Sequence, residues 1–163
     1  MPPLNILKWE DSKKIPFEII FLFGAGFSIA KAFSHTGLDK EIASYLLQIS
    51  SLTPFLLILV IATLITFTTE VTSNTALTSI MLPVIYSFAT GEGVNVDVRL
   101  FLLVATICAS YAFMLPIATP PNAIAMSSGA IKIKEMAKIG FILNIAGILM
   151  ISFIAFIFWA KVL

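Results

Sequence analysis

The sequence predicts an all-α membrane protein in which transmembrane helices accompany a re-entrant helical hairpin and one discontinuous helix broken at prolines. Three observations predict it. Of the 163 residues, 59% are hydrophobic and only 12% charged, against about 25% charged in a soluble domain. Apolar runs recur at residues 15–33, 52–69, 76–89, 100–118 and 139–160. Two polar knots, TTEVTSNTA at 68–76 and ATPPNA at 118–123, sit inside that apolar sequence. Unsatisfied polar groups in lipid cost several kcal/mol each, so such knots need a purpose.

Composition also excludes functions. A net charge of +1 leaves no basic patch for a nucleic-acid partner. The single cysteine, Cys108, rules out an intrachain disulfide and a cysteine-based zinc site, and in an apolar run it reads as a small buried hydrophobe. No Gly-rich phosphate loop supports an ATP-driven pump. An intramembrane protease would need a nucleophile paired with a membrane histidine or lysine, or two facing aspartates, and neither pairing is present. The expectation is a non-enzyme without a cofactor.

Residues 1–14 carry Pro2, Pro3 and a charged cluster from Lys8 to Lys14, and read as a polar leader or linker with no signal-peptide pattern. Pro16 starts a transmembrane helix over 15–34, with Gly24 and Gly26 thinning it for close approach of another helix. Gly37 ends this element. Residues 38–50 form a short amphipathic segment with Ile42, Leu46 and Ile49 on one face, which reads as an interfacial helix. His35 reads as a solvated histidine at its edge.

Pro54 opens the next run, PFLLILVIATLITFTT, which reaches about 24 Å as a helix, short of the roughly 30 Å hydrocarbon core. The return run at 76–89 is shorter still. Two readings compete: two short spans joined by a surface turn, or a re-entrant hairpin over 52–89 with its tip at 69–75. A tip rich in threonine, with one glutamate and no basic residue, favours the hairpin over a surface turn of Gly, Pro, Asp or Lys. Ser73 or Asn74 is the expected N-cap of the return helix.

The segment TGEGVNVDVR at 90–99 is aqueous. A discontinuous helix over 100–131 follows, with its break expected at 118–122, because Pro120 and Pro121 cannot donate backbone hydrogen bonds and Pro120 pushes Thr119 out of helical geometry. Lys132, Lys134 and Lys138 then precede a transmembrane helix over 139–160, with Asn144 and Gly147 on its packing side and Trp159 and Lys161 as interfacial anchors. Placing the leader and the Lys132–Lys138 cluster on the cytoplasmic side satisfies the positive-inside bias, with Lys31, Lys40, Arg99 and Lys161 opposite.

Broken helices and hairpin tips at mid-membrane are a way to build an ion and substrate site. Freed carbonyls can replace the water shell of a hard cation, and helix N-termini present N–H groups to an anion. New helices are expected after Asn74 and after Asn122, so two N-termini could hold a carboxylate without arginine. Glu70, the acid deep in the apolar region, has a functional reading as an intramembrane ionisable group. Its structural reading, placed ahead, is a carboxyl, neutral or hydrogen-bonded to nearby hydroxyls, that fixes the tip. Thr66, Thr68, Thr78 and Ser79 are expected to bond back to their own helices, Pro83 and Pro116 to kink theirs, and the fourteen phenylalanines to face lipid or pack.

TTEVTSNTA followed by CASYAFMLPIATPPNAIA resembles the Ser-Asn-Thr motif and the proline-containing unwound loop of the divalent anion:sodium symporter family. The leader WEDSKKIPF and the span FLFGAGFSIA resemble the segment that precedes them there. The resemblance implies a sodium site from backbone oxygens of Thr69, Thr72 and Ala118 with the Asn74 side chain. It implies a divalent anion, a dicarboxylate, citrate or sulfate, met by Ser73, Asn74, Thr75, Thr119 and Pro120. It implies a multi-pass cell-membrane protein and an inverted-repeat transporter of which this is the C-terminal part. There is one Ser-Asn-Thr here, at 73–75, where the family has two. The chain is therefore expected to need a missing N-terminal half or a partner chain, and to be a homodimer when complete. The alternative is a truncated or accessory fragment with no transport of its own.

Overall fold

The computed structural model describes residues 17–159, and the expectations for the leader 1–14, for Pro16 and for Lys161 lie outside them. The regular elements of the described residues are all helices: α1 Phe17–Thr36, α2 Leu38–Leu47, α3 Pro54–Thr69, α4 Asn74–Ala89, α5 Val98–Cys108, α6 Pro120–Ser127 and α7 Ile133–Ile154, extended by a π-helical turn at Ala155–Trp159. The all-α class follows from the apolar runs, since a chain in lipid must satisfy its backbone internally.

Local chemistry sets several ends. Gly37, at φ 75°, separates α1 from α2 in the left-handed conformation that glycine adopts without a Cβ penalty. Pro54 starts α3 just after Thr53, where its missing N–H costs nothing. Ser73 caps α4, its Oγ accepting from the Ala76 N–H at 3.5 Å. Asp97 caps α5, its Oδ1 accepting from the Arg99 N–H at 2.7 Å. Glu135 accepts from the N–H of the N-cap Lys132 at 3.3 Å, so α7 begins at Ile133 and takes in Lys134 and Lys138, expected to precede the span.

The core lies around α5, whose Leu100, Phe101, Val104 and Cys108 are fully buried. On one side it meets Leu57, Ile58, Ile61 and Ile65 of α3, with Ile148 and Ile151 of α7 behind. On the other it meets α4, where the Phe88 and Phe101 rings pack 5.7 Å apart. α3 rests chiefly on α5 and α7, and α4 on α1, α2 and α5. Each of α3 and α4 has 16 residues, about 24 Å, too short to cross a hydrocarbon core. Phe88 and Phe101 are core residues, whereas Phe21, Phe27, Phe153 and Phe158 are exposed on the outer faces.

Some expectations are corrected. The break in the discontinuous helix begins at Ala109, not at 118: α5 ends at Cys108, and α6 resumes only at Pro120. Pro116 adds to the break further along. In a helix its ring would clash with the Ala112 carbonyl, and it disfavours helical geometry at Leu115. Pro116 therefore kinks no helix; it sits in a turn closed by the Ala118 N–H on the Leu115 carbonyl at 3.2 Å. Gly24 approaches no helix among the described residues, since a Cβ there would meet nothing within 4 Å. α6 starts at Pro120 with Thr119 as its N-cap, so Asn122 lies inside its first turn rather than before it.

Candidate functional site

Glu70 ties the first knot to the non-helical stretch that leads into the second. Its carboxylate is buried, 3% exposed, just past the end of α3. Oε1 accepts from the backbone N–H of Phe113 at 2.8 Å and of Met114 at 2.9 Å, and Oε2 accepts from that of Leu115 at 3.1 Å. Asn144 of α7, fully buried, donates its Nδ2 to Oε1 at 2.6 Å. All four partners are donors, which is the environment a carboxylate accepts from. The expected hydroxyl partners of Glu70 are engaged elsewhere: Thr68 and Thr72 donate to the carbonyls of Leu64 and Thr68, at 2.7 and 2.9 Å.

The break's carbonyls are also answered. Asn122 donates its Nδ2 to the Ala112 carbonyl at 2.8 Å and to the Leu115 carbonyl at 3.0 Å. Thr69 donates its hydroxyl to the Ala109 carbonyl at 2.9 Å and to Asn74 Oδ1 at 2.5 Å, one hydrogen shared between two acceptors. Buried backbone groups must find partners, and this non-helical stretch finds them in Thr69, Glu70 and Asn122. Gly140 seats the stretch against α7: a Cβ there would lie 2.2 Å from the Phe113 carbonyl oxygen. Gly140, Asn144 and Gly147 fall at i, i+4 and i+7 on one helix face, and Gly147 lies against the Tyr111 ring.

The expected ligands divide between two open cavities. Asn74 and Thr75 line one of about 360 Å³ with Thr78, Ser79, Thr106 and Ser110. Thr119 and Pro120 line another of about 530 Å³ with Pro116, Ile117 and Ala123. Ser73 and Thr72 are exposed, and Ala118 is half-buried. Among the described residues no hydrogen bond joins Thr72, Ser73 or Asn74 to Ala118, Thr119 or Pro120. The carbonyls of Thr69, Thr72 and Ala118 accept none of the backbone hydrogen bonds in the described turns and caps. Carbonyl oxygens are the donor type a hard cation takes.

Thr78 and Ser79 do bond back, to the carbonyls of Asn74 and Thr75 at 2.7 and 2.9 Å. Thr66 does not; its buried hydroxyl has no partner. Composition and motif gave no sign of the parts played by Asn122 and Gly140, although the Gly-x3-Asn-x2-Gly spacing of α7 was available as a signal. Asp39 is a second unexpected buried acid, 5% exposed, with Oδ2 accepting from the Ser87 hydroxyl at 3.1 Å and Oδ1 unpartnered.

A family described as the sodium:sulfate symporter transmembrane region matches residues 1–163. This chain belongs to the divalent anion:sodium symporter family. A sodium-dependent dicarboxylate transporter of Staphylococcus saprophyticus is 38% identical over 152 residues, 93% of this chain and 29% of its own length. Solute carrier family 13 member 2 of Mus musculus is 40% identical over 151 residues, 92% of this chain and 25% of its own. The Na+/citrate cotransporter of Rattus norvegicus is 40% identical over 149 residues, 90% and 25%. The chain thus spans between 25% and 29% of the length of these relatives. Symporters of this family are membrane proteins, and among the described residues Ile133–Trp159, 27 residues, is long and apolar enough to cross a membrane. Only 28% of its most apolar window is buried within the chain.

Proposed function

We propose that this chain is the C-terminal part of a secondary active transporter that couples sodium entry to uptake of a divalent anion, a dicarboxylate, citrate or sulfate. Family membership and the names of the relatives support that class. The observation that carries the reading is the joining of the Ser-Asn-Thr turn to the unwound segment through Glu70 and Thr69. In this reading α3 and α4 are the arms of a re-entrant hairpin within an inverted-repeat, multi-pass protein of the cell membrane. The rest of the site comes from an N-terminal half or partner chain, and the complete carrier is a homodimer.

Sodium is held by the backbone oxygens of Thr69, Thr72 and Ala118 and by the Asn74 side chain. The anion is met by Ser73, Asn74, Thr75, Thr119 and Pro120, where the first turn of α4 carries the N–H groups of Asn74 and Thr75, and α6, which opens on Pro120 and Pro121, adds the Asn122 N–H; both starts present the positive end of a helix dipole. Sodium gathers the carbonyls of a hydroxyl-rich turn, and the ordered turn completes the anion site; alternating access then carries both across.

The test is succinate and sulfate uptake into proteoliposomes holding this chain together with the segment that completes it. Uptake is expected to require an inward sodium gradient, and equal uptake without one overturns the coupling. Asn74→Ala, which removes the Thr69 partner, is expected to abolish both sodium and anion binding. Retained binding removes Asn74 from the site.

A further inference from the structure

Glu70 belongs to neither the sodium set nor the anion set, yet its carboxylate ties the first knot to the broken stretch that precedes the second. It follows Thr69, whose carbonyl is in the sodium set, and begins the turn that leads to Asn74. Across the chain it holds three consecutive amides of the break, from Phe113 to Leu115, at 2.8, 2.9 and 3.1 Å. Behind it, Asn144 fixes Oε1 to α7 at 2.6 Å. Gly140 of the same face lets the Phe113 backbone sit in contact with that helix.

We propose that Glu70 is a positioning residue that transmits the order of the hairpin tip to the broken helix, so that both halves of the site assemble as one unit. The inference rests on the tip being the sodium site. The chemistry that permits it is short range. Hydrogen bonds weaken steeply once the donor moves beyond about 3.2 Å or off line, so a small displacement of the turn after Thr69 withdraws the acceptor from three amides together. Those amides belong to a stretch that makes no helix, since α5 ends at Cys108 and α6 resumes only at Pro120. The break therefore has two states, held and released, and Glu70 selects between them. Sodium at the tip would bias that choice without touching Phe113, Met114 or Leu115.

Hydrogen exchange at the backbone amides, measured on this chain together with the segment that completes it in lipid nanodiscs, with sodium or with choline in its place, tests this. In the wild type, sodium is expected to slow exchange at residues 69–76 and also at 110–119. Glu70→Gln keeps the size of the side chain but turns one acceptor into an NH2 that faces donors. It is expected to speed exchange at 110–119 by roughly tenfold or more without sodium, as loss of charge-assisted hydrogen bonds implies, and to confine the sodium effect to 69–76. Peptides of α5 and α7 should exchange as in the wild type, which a general loss of folding would not allow.

Unchanged exchange at 110–119 in Glu70→Gln, or sodium protection there equal to the wild type, overturns the proposal. Absence of sodium protection at 69–76 in the wild type overturns the tip reading and with it the transmission. The sodium-free comparison of wild type and Glu70→Gln then decides the hold of Glu70 on the break by itself. Should Glu70→Gln fail to assemble, Glu70→Asp, which keeps the charge and draws it back by one methylene, is expected to give the same pattern with a smaller amplitude; wild-type exchange in that variant overturns the proposal equally.

Discussion

Gly140→Ala sets two effects of opposite sign against each other. Alanine is the better helix former by about 1 kcal/mol, and α7 is a long helix with Gly140 well inside it, so propensity alone predicts stabilisation. The structure predicts the reverse. The new Cβ would lie 2.2 Å from the Phe113 carbonyl oxygen, 2.4 Å from its carbonyl carbon and 2.7 Å from the Met114 Cα. All three are backbone atoms, so no side-chain rotation relieves the contact, and about 1 Å of separation must open between α7 and the break to restore ordinary contact.

That movement pulls Asn144 and Phe113 apart at the Glu70 carboxylate. Overpacking costs about 1–3 kcal/mol, and each weakened charge-assisted hydrogen bond adds to it. The net expectation is destabilisation by about 2–4 kcal/mol after the helix gain is subtracted. Thermal unfolding of the chain in detergent, followed by circular dichroism, reads the sign: the apparent melting temperature should fall by roughly 5 °C or more. Gly24→Ala is the control, because nothing lies within 4 Å of its Cβ; it should hold or raise the melting temperature. A Gly140→Ala protein that melts at or above the wild type refutes the close seating of the break on α7.

Ser87→Ala removes the hydroxyl that donates to buried Asp39 and should destabilise the chain by about 1–3 kcal/mol, the cost of an unpartnered buried acceptor. Asp39→Asn in the same background, which removes the charge, should recover part of that loss in a denaturant titration; equal stability of the two variants would count against the pairing. The Arg99 backbone N–H, and after it the Arg99 side chain, hold the Asp97 carboxyl below its ordinary value of 3.8. A depressed carboxyl stabilises the fold above its unfolded value and loses that stabilisation as pH falls through the folded value. The first turn of α5 should therefore keep its amide protection down to about pH 4 and lose it only below, and Asp97→Asn should abolish that pH dependence.

How much of this was legible depends on the range of the interaction involved. The helical class follows from apolar runs, and the starts of α3 and α4 follow from Pro54 and Ser73, because caps are made within three or four residues of chain. The break's position was not legible from 120–122, since Ala112, Phe113, Met114 and Leu115 are ordinary helix formers. What holds them open is a carboxylate 43 to 45 residues away and an amide on α7 that is 74 residues from that carboxylate. The hydroxyls around Glu70 looked like its partners by sequence proximity. In the structure Thr68 and Thr72 bond to the carbonyls four residues before them, and Thr69 bonds to Ala109 and Asn74. Asn122 reads as a helix start by residue type, yet its amide folds back on the break because Ala112 and Leu115 carbonyls there have lost their helical partners.

The saturation of Glu70 also bears on charge. A carboxylate in an apolar site would repel a divalent anion brought close to it, and in low dielectric that repulsion is strong. Here its lone pairs are turned toward three backbone amides and Asn144, so its field is answered by donors on the side of the break and α7. The N–H groups of Asn74 and Thr75 at the start of α4, and of Asn122 in α6, are left for the anion. They are partial charges, not full ones, and the described residues supply no lysine or arginine to either cavity that holds the expected anion ligands. In the proposed carrier, sodium bound beside these ligands would supply part of the compensation that an anion of two negative charges needs.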